Sequence, residues 1–130
     1  MFVIWNTKLI LEMKPLRIDN PYRSEENRRF ANRCRLLVMG KEIEGWYYEP
    51  FTFNIGDGAT YTPDFLLVYS DKFVVVEVKG STRTRKQRKV KAFAREDDII
   101  KLKVLKRFMP YFQVLLAWED GIDNWQFREF

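Results

Sequence analysis

The stretch Thr60–Gly80, TYTPDFLLVYSDKFVVVEVKG, constrains the fold more than any other part of the chain. Its two apolar runs, Phe65–Tyr69 and Phe73–Val76, are rich in β-branched and aromatic side chains and flank Ser70-Asp71. That pattern predicts a β-hairpin. A loop centred between Ser70 and Asp71 sets a register in which Asp64 faces Glu77 and Thr62 faces Lys79. Alternation along the second strand puts Phe73, Val75, Glu77 and Lys79 on one face and Val74, Val76 and Val78 on the other. Directly opposed Cβ atoms stand about 5 Å apart, where like charges repel unless something compensates. Two carboxylates so placed, with an ammonium beside them, make a site for a divalent cation.

Composition narrows what that site can use. The chain has no histidine, which excludes an imidazole general base, a His-metal site and a Cys₂His₂ finger. Cys34 is the single cysteine, so disulfides and thiolate zinc sites are excluded and a reducing compartment is the simple reading. Any metal must be held by oxygen, which favours Mg²⁺ or Mn²⁺. Apolar residues at 46% and a length of 130 residues fit one folded domain spanning 1–130. The net charge of +5 is local. Arg83, Arg85, Lys86, Arg88, Lys89, Lys91 and Arg95 fall between Ser81 and Arg95 with no acid among them, and they more than account for the total. A basic stretch directly after Lys79 suits a polyanion, and Arg83, Arg85, Lys86, Arg88 and Lys89 are the candidate DNA contacts. The competing reading is a solvated charged loop.

Met1–Met13 is apolar but interrupted by Asn6, Thr7 and Lys8, too short to span a bilayer and unlike a signal peptide. It reads as a strand or hairpin on the core, or within residues 1–20 as an arm packing on a second subunit. Pro15 and Pro21 bracket a polar linker. No membrane association and no nucleotide cofactor are expected, and the location is cytoplasmic. Ser24 caps a helix running to about Met39 and ending at Gly40, with Phe30, Cys34, Leu37 and Val38 as its buried stripe. Glu26, four residues before Phe30, lies on the core-facing side, whereas Glu25 falls nearer Arg29 and Asn32. Trp46–Ile55 reads as a strand broken at Pro50, and Asp57-Gly58 as a turn. Thr84–Arg95 is a candidate short helix. Asp97 or Asp98 begins another that runs to Phe108, with Ile100, Val104, Leu105 and Phe108 inward. Phe112–Trp118 is a buried strand, and Trp125–Phe127 an edge strand. This order predicts an α/β sandwich built on a mixed sheet.

Pro63-Asp64 followed by Glu77-Val78-Lys79 resembles the PD-(D/E)XK nuclease signature. The wider phrase YTPDFLL…VEVKG is similar to phage Holliday-junction-resolving endonucleases of that superfamily, and to a group of short phage-encoded nucleases. The resemblance covers roughly Ser24 to Phe130 and is weakest between Ser81 and Arg95. It implies a restriction-endonuclease-like sandwich, a mixed central sheet flanked by helices, and a Mg²⁺- or Mn²⁺-dependent deoxyribonuclease. Asp64 and Glu77 would be metal ligands, with the Val78 carbonyl completing the set. Glu26 is the better match for the family's helix acid, serving a second ion or a water, with Glu25 as the alternative. Lys79 would orient or deprotonate the attacking water. Branched DNA is the implied substrate and a homodimer the implied state, since resolving a junction needs two symmetric nicks. Duplex, single-stranded or DNA-end substrates stay open, as does a catalytically silent DNA-binding copy of the fold.

Overall fold

The computed structural model describes residues 2–5, 8–11, 21–56, 58–82, 91–92 and 94–130, with side chains described for all of these but 2–5, 8–11, 82 and 91–92. The elements begin with β1 (Phe2–Trp5), β2 (Lys8–Leu11), α1 (Glu25–Met39), β3 (Gly45–Tyr48), β4 (Phe51–Gly56) and β5 (Ala59–Tyr61). They continue with β6 (Phe65–Val68), β7 (Phe73–Val78), β8 (Ser81–Thr82), β9 (Lys91–Ala92), α2 (Glu96–Phe108), β10 (Phe112–Glu119) and β11 (Trp125–Glu129).

The expected hairpin is present and in the expected register. Phe65 pairs with Val76, Leu66 with Val75, Leu67 with Val74 and Val68 with Phe73. The Tyr69 N–H donates to the Lys72 carbonyl at 2.9 Å and closes the loop around Ser70-Asp71. This hairpin is the middle of a mixed five-stranded sheet ordered β11-β10-β7-β6-β3, in which β10 runs parallel to β7 and β11 is an edge. The described residues therefore form an α/β structure with a mixed sheet and two helices, the class that the order of elements predicts.

Alternation on β7 sorts its side chains onto the two faces. Val74, Val76 and Val78 join Phe65 and Leu67 under α1, against Phe30, Ala31 and Cys34. Val75 joins Leu66, Val114 and Leu116 under α2, against Leu102 and Leu105. Both faces are covered, which is why β7 reads as a continuous apolar run. The Cys34 thiol, fully buried, is pushed up to about 12 by loss of solvent.

Ser24 caps α1 by accepting from the Asn27 N–H at 3.1 Å. At the other end Glu42 N–H bonds the Leu37 carbonyl and Lys41 N–H the Val38 carbonyl, the pair of bonds that defines a Schellman motif. The left-handed residue there is Lys41, with φ 60°, and Gly40 itself is not left-handed. This turn folds Ile43 back into the core beside α1. Val38 is 37% exposed, a correction to the expected stripe.

Three further expectations are corrected. In α2 the inward residues are Ile99, Leu102 and Leu105, while Ile100 and Phe108 are 52% and 66% exposed. Apolar residues occupy two adjacent stripes of this helix, so spacing alone does not choose the face. Lys91–Ala92 is a strand antiparallel to Ser81–Thr82, not part of a helix. The rest of the expected helix at 84–90 lies outside the described residues, with Arg83, Arg85, Lys86, Arg88 and Lys89. The third correction is a second, four-stranded sheet, β2-β1-β4-β5. The break at Pro50 is real, but β3 and β4 on its two sides enter different sheets. Glu49, with φ 46°, makes the switch. The N-terminal segment forms a hairpin whose β1 runs parallel to β4. No described helix is long and apolar enough to cross a membrane.

Candidate active site

The hairpin ends in a cleft of about 460 Å³ that gathers the sequence candidates from distant parts of the chain. Asp64, Glu77, Val78 and Lys79 line it from the hairpin, and Glu26 lines it from α1. The starts of both helices open onto the same space, through Ser24 and Asn27 on one and Arg95, Asp97 and Asp98 on the other. Helix starts carry partial positive charge, so two of them favour an anionic group between them.

Asp64 stands just before β6, after the fully buried Pro63. Its carbonyl accepts from the Glu49 N–H at 2.7 Å, and its Oδ2 from the Val78 N–H at 2.8 Å. The Asp64 N–H in turn helps hold the Glu77 carboxylate. Each acid is thus met by main chain of the opposing strand, as the register requires. Burial pushes the Asp64 carboxyl up to about 8, the nearby Glu77 charge adds to this, and the Val78 N–H and Lys79 only partly offset it.

Glu77 is 8% exposed, rare for a carboxylate. The Tyr61 hydroxyl donates to its Oε2 at 2.5 Å. Burial raises the Glu77 carboxyl despite that bond and the Lys79 charge. The Tyr61 hydroxyl is itself held well above its ordinary range by burial and by the Glu77 charge. Lys79 Nζ lies 3.7 Å from Glu77 Oε1 and 3.3 Å from Asp98 Oδ2, placing the ammonium between strand and helix. Asp98 also accepts from the Arg95 N–H at 3.1 Å, so one carboxylate both caps α2 and anchors the lysine.

Of the two helix glutamates, Glu26 is the one in the cleft. A Cβ at Gly80 would stand 3.7 Å from Glu26 Oε1, so the chain after Lys79 passes close to this acid. Glu25 faces outward and pairs with Arg28. Among the described residues no three acidic or cysteine side chains form a ready cation cage. The donors present are nonetheless chemically suited to a hard cation: the enclosed pair Asp64 and Glu77, Glu26 lining the same cleft, and Asn27, whose amide oxygen has no partner among the described residues.

Sequence reasoning missed four contributors. Asp98 was legible only as a helix start, because its approach to Lys79 depends on how α2 lies on the sheet. Tyr61 belongs to the second sheet, outside the hairpin's alternation. Asn27 follows Glu26 and reads as an ordinary helix residue. Arg23 precedes the cap and lines the cleft while pairing with Glu49 at 2.5 Å.

No protein-family model matches this chain, and no curated protein or solved structure matches it either.

Proposed function

We propose that this chain is a metal-dependent DNA endonuclease of the PD-(D/E)XK type, with a restriction-endonuclease-like fold, that cuts branched DNA as a homodimer. The observation that carries this reading is the convergence of Asp64, Glu77, Lys79 and Glu26 on one cleft at the end of β7. Two enclosed carboxylates with raised proton affinity are what a cation site looks like before its cation binds. A bound Mg²⁺ or Mn²⁺ would supply Lewis acidity at the scissile phosphate.

Asp64 and Glu77 would hold that ion, together with the Val78 carbonyl, and Glu26 would serve a second ion or a water. Lys79, anchored by Asp98, reaches the same space and orients the water whose oxygen forms the new bond to phosphorus as the bond to the leaving sugar oxygen breaks. Its charge also offsets the negative charge that grows on the phosphate. Arg95 lines the cleft at the start of α2, and the sequence just before it is rich in arginine and lysine, which suits a polyanion. No base-reading motif occurs in the sequence, so selectivity is for DNA shape. The preference for branched DNA and the two-fold state follow from the resemblance.

The test incubates the purified chain and Mg²⁺ with matched four-way, duplex and single-stranded DNAs, beside Asp64→Asn. Cutting confined to the four-way substrate, and abolished in Asp64→Asn, is the expected outcome. Cutting of all three DNAs would redirect the reading to a less selective nuclease. A second reading, a silent DNA-binding copy of the fold, is favoured by one observation: Glu77 and Lys79 already have protein partners in Tyr61 and Asp98. It expects no Mg²⁺-dependent product from any DNA.

A further inference from the structure

The first turn of α1 carries a feature that two carboxylate ligands leave unexplained. Asn27 is 4% exposed. Its Nδ2 donates to the Tyr48 hydroxyl at 3.3 Å, and its Oδ1 has no partner among the described residues. A buried acceptor left bare costs stability, whereas an apolar side chain of similar shape would avoid that cost. Turning the amide over does not remove the problem. The Tyr48 hydroxyl already receives the Arg23 N–H at 3.0 Å and can satisfy only one end of the Asn27 amide, so the other stays bare.

Asn27 lines the cleft with Glu26, Asp64 and Glu77, and Tyr48, which takes its Nδ2, does not. A neutral carbonyl-type oxygen is a hard donor that Mg²⁺ and Mn²⁺ accept readily. It also adds a ligand without adding a negative charge to a space that five carboxylates already line. We propose that Asn27 supplies a neutral oxygen ligand, direct or through one water, to the divalent cation held by Asp64 and Glu77. The assignment rests on the metal-site reading above and extends it to a residue that the signature motif does not contain.

Mn²⁺ binding, followed by the fall in the free-ion EPR signal, tests this without any cleavage assay. Asn27→Ala is expected to bind Mn²⁺ about tenfold more weakly than the unaltered chain, the effect of removing a supporting interaction. Asn27→Asp, of the same shape and with an oxygen at the same place, is expected to bind at least as tightly as the unaltered chain. Tyr48→Phe removes the other partner of the Asn27 amide, so it should lower thermal stability and leave Mn²⁺ affinity unchanged. Unchanged affinity in Asn27→Ala, with binding abolished in Asp64→Asn, overturns this inference alone. Absence of Mn²⁺ binding by the unaltered chain overturns it together with the metal site. Equal weakening by Tyr48→Phe and Asn27→Ala assigns Asn27 to packing and overturns it too. If Asn27→Ala does not fold, Asn27→Asp decides, and weaker binding by that variant is the overturning result.

Discussion

Two clefts of nearly equal size, about 430 and 460 Å³, sit at the two ends of β7 and are chemical opposites. The first is floored by Phe30, Leu67, Val74 and Leu115, and of its charged members Glu42, Lys72 and Glu129 are exposed and Arg33 is half-buried. The second encloses Glu77, with Asp64 and Lys79 only partly exposed. Size therefore does not distinguish a site from a surface hollow. The first cleft leaves its charges in water, where they cost little and do little. The second removes charge from water, and the cost appears as carboxylates that resist ionisation. Such an arrangement weakens the fold unless something else compensates, and carboxylates held this way cluster at functional sites.

The largest effect that can break this comparison is catalytic. Asp64→Asn or Lys79→Ala should lower cleavage at least about a thousandfold while DNA binding, read by gel shift, survives. Lys72→Ala and Glu42→Ala in the other cleft should change cleavage less than twofold. Comparable reductions from both clefts would erase the distinction.

Next in size is stability. Phe30→Ala, which removes a side chain packed on Phe65 and Trp125, should cost about 3–5 kcal/mol in denaturant unfolding. In chelator at pH 8, Asp64→Asn should instead be neutral or stabilising, since it removes a charge the fold does not favour.

The third prediction is the pH dependence that follows. Asp64 holds its proton in the folded chain up to about 8, but in the unfolded chain only to its ordinary value of 3.8. Between those values the folded state binds more protons, so stability is highest at the acid end and declines as pH rises. The slope for one such group approaches about 1.4 kcal/mol per pH unit. Asp64→Asn should flatten it, and added Mg²⁺ should restore stability at the alkaline end. Both are measurable by thermal melts in matched buffers.

The smallest change concerns binding. Replacing Arg85, Lys86 and Lys89 by alanine should weaken DNA binding and reduce the slope of log K against log salt by up to about 0.9 for each phosphate no longer neutralised. The kcat at saturating DNA should be little altered, because the proposed chemistry uses none of these three residues.

Much of this was written locally. The β6–β7 register followed from two apolar runs and a short loop, and it carried Asp64 and Glu77 to opposed ends without further information. The choice of Glu26 over Glu25 followed from helical spacing to Phe30. The face of α2 was not legible, because Ile99, Ile100, Leu102, Val104 and Leu105 offer two apolar stripes and only packing against Val114 and Leu116 selects between them. The second sheet was hidden for a related reason: Pro50 announces a break, but not where the chain goes after it.

Local sequence was enough for the hairpin, its register, the N-cap of α1, the absence of imidazole and of thiolate zinc sites, and the two opposed acids Asp64 and Glu77. These depend on residues near one another in the chain, where side-chain period and turn chemistry act directly. Only the folded chain brings Asp98 to Lys79, Tyr61 to Glu77, and Asn27 to the same cleft. Those partners come from separate elements, and desolvation acts on a group only once the whole chain has closed around it.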